Sequence, residues 1–160
     1  MSKHFDLLVI GAGSGGLAAA GRAANLGAKV GIIEKNYIGG TCVNVGCVPK
    51  KMMWYSAQFA ELLTLSRQLG FQNTSSRFNF ANLVKHRDQY IQSLQKIYFK
   101  RIERDKIIYL VGTATFLDKH TVRVKEQVYS ADHIIVATGC NSDLLDIPGA
   151  EYTIDSEDFF

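Results

Sequence analysis

Cys42 and Cys47 stand five positions apart within GGTCVNVGCVPKK, among glycines, a threonine, an asparagine and two lysines. A disulfide between them would close a very small loop, and the stabilisation gained from loop closure shrinks with the loop. Such a bond is a poor staple, and its chemistry is that of a bond broken and remade by thiol–disulfide exchange. The local pattern points the same way. Gly39 and Gly40 interrupt the preceding segment, Thr41 reads as an N-cap, and a helical pattern runs on toward about Arg67. Cys42 is therefore expected near a helix N-terminus with Lys50 and Lys51 close by, a setting that lowers a thiol pKa. Pro49 restricts Val48 and is expected to disturb the helix. That distortion would help the two cysteines meet, because regular helix spacing does not place i and i+5 on one face.

Two other uses of the cysteines compete with the redox one. Structural zinc takes four ligands. Cys42 and Cys47 have no second pair beside them, and His4, His86, His120 and His133 are scattered without ligand spacing, so no metal is expected. Simple core packing of free thiols favours apolar neighbours and does not explain the glycines, threonine, asparagine and two lysines crowded around this pair. Cys140 has no partner in the sequence and reads as an inert cysteine.

A redox dithiol needs elements to hold it against an electron donor, and the N-terminus supplies them. The apolar run FDLLVI (Phe5 to Ile10) leads directly into GAGSGG. Gly11, Gly13 and Gly16 match GxGxxG, in which the glycines serve a tight turn, a close approach of backbone to pyrophosphate, and the packing of helix on strand. A helix is expected from Ser14 to about Leu26, with its N-terminal N–H groups toward the phosphates. Gly27 stops it, KVGIIE (Lys29 to Glu34) reads as the second strand, and Glu34 ends that strand. An acid there accepts hydrogen bonds from a ribose diol and disfavours a 2′-phosphate, so the site reads as FAD or NAD rather than NADP.

The fold class is α/β, and 160 residues with 47% hydrophobic content and two prolines make one compact domain. The net charge of +3 is small for this length, and no apolar stretch approaches membrane-spanning length. Neither nucleic acid nor a bilayer is an expected partner. No charged leader or long apolar segment precedes the first strand, so a cytoplasmic location is expected, where a vicinal dithiol is catalytic or metal-binding more often than structural. Phe80 to about Lys106 reads as a long amphipathic helix. Its basic residues Lys96, Lys100, Arg101, Arg104 and Lys106 are interrupted by Glu103 and Asp105 and suit the macrodipole of a solvated helix end. Ile107 to Val111 reads as a third parallel strand. TATFLD, HTVRVK and QVYS alternate like a small antiparallel meander before HIIVATG returns to the main sheet.

In this combination, GAGSGG, the strand-terminal Glu34 and GGTCVNVGCVPKK, the chain resembles the FAD-dependent pyridine nucleotide–disulfide oxidoreductases, above all their glutathione reductase branch. The resemblance continues in order through VGTATF (Val111 to Phe116), ADHIIVATG (Ala131 to Gly139) and IPGAEYTIDSEDFF (Ile147 to Phe160). It implies a Rossmann-like FAD-binding domain with a parallel sheet and a small antiparallel β-meander. It implies that Cys42 is the interchange thiol for glutathione disulfide and Cys47 the charge-transfer thiol against the flavin, with Lys50 near the flavin's redox-active nitrogen. Ser14, Gly15, Glu34, Thr41, Cys42, Lys50 and Ala114 match FAD contacts, and Thr138 and Gly139 come near the cofactor. Ser14 and Tyr98 match the disulfide-substrate site, although Tyr98 also belongs to an apolar helical stripe with Tyr90, Ile91, Leu94 and Ile97, and packing explains it equally well. Trypanothione and thioredoxin are alternative substrates within the same family.

The chain also departs from the family. Cys140 stands where a glycine usually follows ATG, polar residues and leucines replace the usual prolines between Asn141 and Asp146, and SEDFF replaces SDGFF. The whole of 1–160 is expected to be the N-terminal segment of an FAD-binding domain, truncated. The second nucleotide fingerprint for NADPH, the segment completing the FAD domain, and the interface domain with its His–Glu acid–base pair and homodimer contacts are absent. The isolated chain is therefore expected to show negligible NADPH-dependent reduction of glutathione disulfide. A split enzyme completed by a second polypeptide and a stand-alone flavin or dithiol module are the alternatives.

Overall fold

In the computed structural model, which describes residues 3–72, 77–143 and 145–160, the first apolar run forms strand β1 (Lys3–Ile10) in the middle of a six-stranded sheet. Leu144, within the 141–146 departure, lies outside the described residues. Strands β2 (Val30–Glu34) and β6 (Gln127–Val136) flank β1 in parallel, and β3 (Ile108–Val111) pairs in parallel with β2. Central parallel strands are covered on both faces, which is why LLVI and VGII are continuous apolar runs rather than alternating ones. Helices α1 (Ser14–Asn25) and α4 (Phe80–Arg104) cover one face, where Val9, Ala20, Val30, Ile32, Ile38 and Ile102 are buried together.

The other face is closed by the meander. Strand β4 (Ala114–Asp118) pairs antiparallel with β5 (Thr121–Val124), and β5 with the start of β6. Val122, Val124 and Tyr129 close onto Phe5, Leu8, Ile10 and Ile33. The expected α/β fold with a parallel sheet and a small meander is what the chain forms. One expectation changes in detail: QVYS and HIIV are not separate strands. The two residues that join them, Ala131 and Asp132, include no glycine or proline, and β6 runs unbroken, antiparallel to β5 at its start and parallel to β1 along its length.

Helix α4 begins where Asn79 accepts a hydrogen bond from the Asn82 N–H, an N-cap. It ends two residues before Lys106, whose positive φ of 55° turns the chain toward β3. The basic end of α4 is paired: Asp105 lies 2.7 Å from Arg104 and 3.9 Å from Arg101. The hydrogen bond from Arg104 holds the Asp105 carboxyl below the usual carboxylate range. Backbone N–H groups do the same for Asp118, through His120, and for Asp155, through Asp158 and Glu157.

Two expected outcomes follow from this packing. A methyl group on Gly31 would lie 2.7 Å from Leu8 Cδ1 and 3.0 Å from the Phe5 ring. Overpacking of this kind costs about 1–3 kcal/mol, so G31A should lower the unfolding free energy by that amount, read from urea denaturation as a lower midpoint with unchanged slope. The three depressed carboxylates contribute stability that is complete above their unfolded pKa of about 4. It is lost as pH falls through the lower folded values. Urea midpoints should therefore drop in acid, and D105N should shrink the loss between about pH 5 and pH 3.

Candidate functional site

The ends of three strands converge on the glycine turn. The Gly11 N–H donates to the Ile33 carbonyl at 2.7 Å, and the Ala137 N–H to the Ile10 carbonyl at 2.8 Å. Gly11 has φ +106°, and a Cβ there would lie 2.3 Å from the Ala137 carbonyl oxygen and 3.2 Å from Thr138 Cα. No other residue type fits. A Cβ on Gly16 would come within 1.8 Å of the Gly11 carbonyl oxygen, so α1 packs on the turn only because that position is glycine. Gly13 precedes α1 without a side-chain cap, Ser14 opens the helix, and a Cβ on Gly15 would meet nothing within 4 Å. The first N–H groups of a twelve-residue helix thus face open space beyond the carboxyl ends of the strands, where an α/β sheet binds nucleotides.

Glu34 closes one side of this space. Its carboxylate accepts from the Ala12 N–H at 2.7 Å and from the Asn36 N–H at 2.8 Å, which fixes both oxygens and leaves lone pairs for further donors. The Gly112 N–H donates to the Glu34 carbonyl at 2.9 Å. Ala114, two residues on, opens β4 and packs against the meander-side core. Thr138 and Gly139 leave β6 exposed beside Gly11, and Gly139 adopts φ +73° over open space.

The dithiol segment is tied to this same turn. The Gly39 N–H donates to the Ala12 carbonyl at 2.8 Å, and a Cβ on Gly40 would lie 2.8 Å from Gly13 Cα. From there the structure departs from the single helix expected. A five-residue helix α2 (Gly40–Asn44) carries Thr41 and Cys42, and a separate helix α3 (Cys47–Gln68) starts at Cys47. Gly39, with φ +98°, is the N-cap of α2, while Thr41 lies exposed in its first turn. Nor is Pro49 the source of the break. It is the third residue of α3, in the first turn, where an N–H has no intrahelical partner to lose. The break is at Gly46, where a Cβ would lie 2.8 Å from the Thr41 carbonyl oxygen, so α3 restarts directly against α2. This folding back, rather than a distorted helix, brings Cys47 to Cys42.

Both thiols are free, Cys42 half-buried and Cys47 exposed. Their electrostatics reverse the expected lowering at Cys42. Its hydrogen bond with the Cys47 thiol pushes its pKa above the ordinary thiol value, helped by burial and by the charge of Cys47, while hydrogen bonds from Ser14 and the Cys47 backbone oppose the rise. The expected cationic help is directed elsewhere. The Lys51 ammonium sits 4.7 Å above the Tyr55 ring and 5.9 Å from that of Trp54, and Lys50 is exposed on α3. Tyr98 is half-buried on α4 with its ring packed against the helix-side core, so packing is one role it plays.

Sequence reasoning singled out neither Asn44 nor Gln95. The Asn44 amide donates to the carbonyls of Ile38 and Gly40, and the Gln95 amide donates to Asn44 Oδ1. The spacing of Asn44 from two glycines was the available signal; Gln95 left none, because it comes from a distant helix. Among the described residues no three His, Cys, Asp or Glu side chains gather as a metal site. No helix among them is long and apolar enough to cross a membrane.

Residues 5–160 match the family described as pyridine nucleotide-disulphide oxidoreductase. The chain belongs to that family. It is similar to the glutathione reductase of Schizosaccharomyces pombe, 45% identical over 169 residues, covering 100% of this chain and 36% of that protein. It is also similar to the glutathione reductase of Yarrowia lipolytica, at 42% over 171 residues, covering 98% of this chain and 36% of that protein. The glutathione reductase of Nostoc sp. (strain PCC 7120) is 41% identical over 160 residues, covering 100% of this chain and 35% of that protein. The chain thus spans about a third of the length of the curated relatives it matches.

Within this family site, the causes acting on Cys42 predict opposite responses to two substitutions. C47A removes the hydrogen bond and charge that raise the Cys42 pKa, so the pH–rate profile for iodoacetamide modification of Cys42 should move to lower pH. S14A removes a hydrogen bond that favours the thiolate and should move the profile to higher pH. Peptide mass mapping separates Cys42 from Cys47 and Cys140.

Proposed function

We propose that this chain forms the FAD and dithiol part of a glutathione reductase-like enzyme that reduces glutathione disulfide at the expense of NADPH. The single observation behind this reading is the hydrogen bond from Gly39 to Ala12, which fastens the dithiol turn to the nucleotide turn and makes one site of both. The residues suit FAD. Gly13, Ser14 and Gly15 leave the α1 N-terminus open to a pyrophosphate, and Glu34 is fixed for a ribose diol. Thr41, Cys42, Lys50, Ala114, Thr138 and Gly139 are proposed as further contacts.

When bound, FAD supplies the pair of electrons that the Cys42–Cys47 disulfide accepts. With two protons, the disulfide becomes two thiols. The Cys42 thiolate, its charge supported by Ser14, attacks one sulfur of glutathione disulfide and releases one glutathione thiolate, which takes up a proton. The Cys47 thiolate then attacks the Cys42 sulfur, reforming the protein disulfide and releasing the second glutathione. Ser14 and Tyr98 are proposed to contact the glutathione moieties. NADPH binding and a homodimer are proposed for the whole protein, and the cytoplasm is its proposed location.

One observation favours a second reading. Cys47 is the exposed thiol and Cys42 the half-buried one, so a dithiol module acting without flavin would attack through Cys47. Reduced FAD-loaded C47S and C42S chains, mixed with glutathione disulfide and mapped by peptide mass, tell the two apart. A mixed disulfide trapped on Cys42 in C47S supports the enzyme role, and rapid modification of Cys47 alone, with no effect of FAD, overturns it. Loss of one hydrogen bond to a charged group costs about 1.5–3 kcal/mol. E34Q should therefore weaken FAD binding by roughly tenfold or more in a flavin fluorescence titration, and unchanged affinity would remove Glu34 from the site.

A further inference from the structure

The carboxamide of Asn44 is engaged from three sides. Its Nδ2 donates to the Ile38 carbonyl at 3.1 Å and to the Gly40 carbonyl at 2.8 Å, and its Oδ1 accepts from Gln95 Nε2 at 2.7 Å. The two carbonyls bracket Gly39, which holds φ +98°. Ile38 is fully buried, so one of these anchors belongs to the core. The other anchor comes from α4, where Gln95 lies between Ile91 and Ile102, both buried. The orientation of the Asn44 amide is dictated by this set, since a flipped amide would aim its oxygen at two carbonyl oxygens and its NH2 at the donor of Gln95.

Asn44 closes the five-residue helix that carries Cys42, and Gly46 then returns the chain to Cys47. We propose that Gln95 is a positioning residue for the dithiol: through Asn44 it holds α2 in the register from which the Cys42 sulfur meets Cys47, and so sets the redox equilibrium of the pair. The proposal rests on the dithiol reading above and adds to it a residue on an element that carries neither cysteine. In the relevant equilibrium two glutathione thiols give two electrons and two protons to the Cys42–Cys47 bond, yielding two protein thiols and one glutathione disulfide. How strongly the protein disulfide is favoured depends on how closely each thiol is held to the other, as for any intramolecular step. A loosened α2 spreads Cys42 over more positions and weakens the disulfide.

The test measures that equilibrium on the purified chain without added flavin. The chain is equilibrated over a series of glutathione to glutathione disulfide ratios, quenched in acid, alkylated and weighed by peptide mass. Gln95 is half-exposed on a long helix, where alanine is well tolerated, so Q95A should keep the fold. Q95E has nearly the same shape but, ionised, offers only acceptors to Asn44 Oδ1. Both variants should lower the equilibrium constant for disulfide formation by roughly 3- to 10-fold, tenfold being about 30 mV for two electrons. Q92A, an exposed glutamine on the same helix, should leave it unchanged. Far-UV dichroism checks the fold, and if Q95A does not fold, Q95E decides. A merely structural role would lower the urea midpoint and leave the equilibrium within twofold of the parent, which would overturn the proposal. If the parent chain forms no Cys42–Cys47 disulfide at any ratio, the dithiol reading itself fails and the proposal falls with it.

Discussion

The hydrogen bond from the Gly39 N–H to the Ala12 carbonyl is the constraint on which the site depends. It joins two turns that sequence separates, and glycines on both sides let the backbones meet. Gly40 approaches Gly13 so closely that a methyl group there would sit 2.8 Å from the Gly13 backbone. Ala12 contributes twice: its carbonyl receives Gly39, and its N–H goes to Glu34. One residue in the glycine turn thus fixes both the Glu34 carboxylate and the dithiol segment. Displacing the glycine turn would disturb both together.

The layers of the fold explain why this junction is rigid at one end and open at the other. β1 is buried on both faces, so its carboxyl end is held by the helix-side and meander-side cores at once. Helix α3 is different: Pro49 is its one buried residue among those described, while Trp54, Tyr55, Phe59, Leu62 and Leu65 are exposed. It packs against α2 and α4, and its exposed side carries an unusually apolar surface. Partly buried residues recur along it at Met52, Met53, Ser56, Leu63 and Ser66, so one face is covered while the other is exposed.

Much of this was legible in the sequence, for identifiable reasons. The strands at Phe5–Ile10 and Lys29–Glu34 and the glycine turn between them are specified by short-range patterns, and both strands formed within two residues of the expected limits. The expected helix over Thr41 to Arg67 was not one helix, because its apolar and polar residues carry a helical period straight through Gly46 while the backbone there does not. A glycine in a helical pattern is ambiguous between tolerated and breaking, and close packing on the Thr41 carbonyl decided it. Pro49 looked like the breaker and was in fact at a position proline suits. The Asn44 and Gln95 pair was invisible for a different reason: its partners are 51 residues apart, and no local pattern encodes a contact between side chains that distant.

The thiol electrostatics show how the same local error carries into chemistry. A long helix starting at Thr41 would put Cys42 in the field of a full macrodipole, and that field would favour a standing thiolate. A five-residue helix offers little of it, and α3 begins only at Cys47. What acts on Cys42 instead is its partner thiol, which holds the proton in place, against a serine that favours its release. Those two groups come from α3 and α1, on opposite sides of the Gly39–Ala12 junction. The reactivity of Cys42 is therefore conditional on the state of Cys47 and on the placement of the first residue of the nucleotide-turn helix. A permanently ionised cysteine would react with any oxidant that reached it, whereas a thiol restrained by its own partner becomes nucleophilic when that pair is reorganised, which suits a bond that must be opened and closed in sequence.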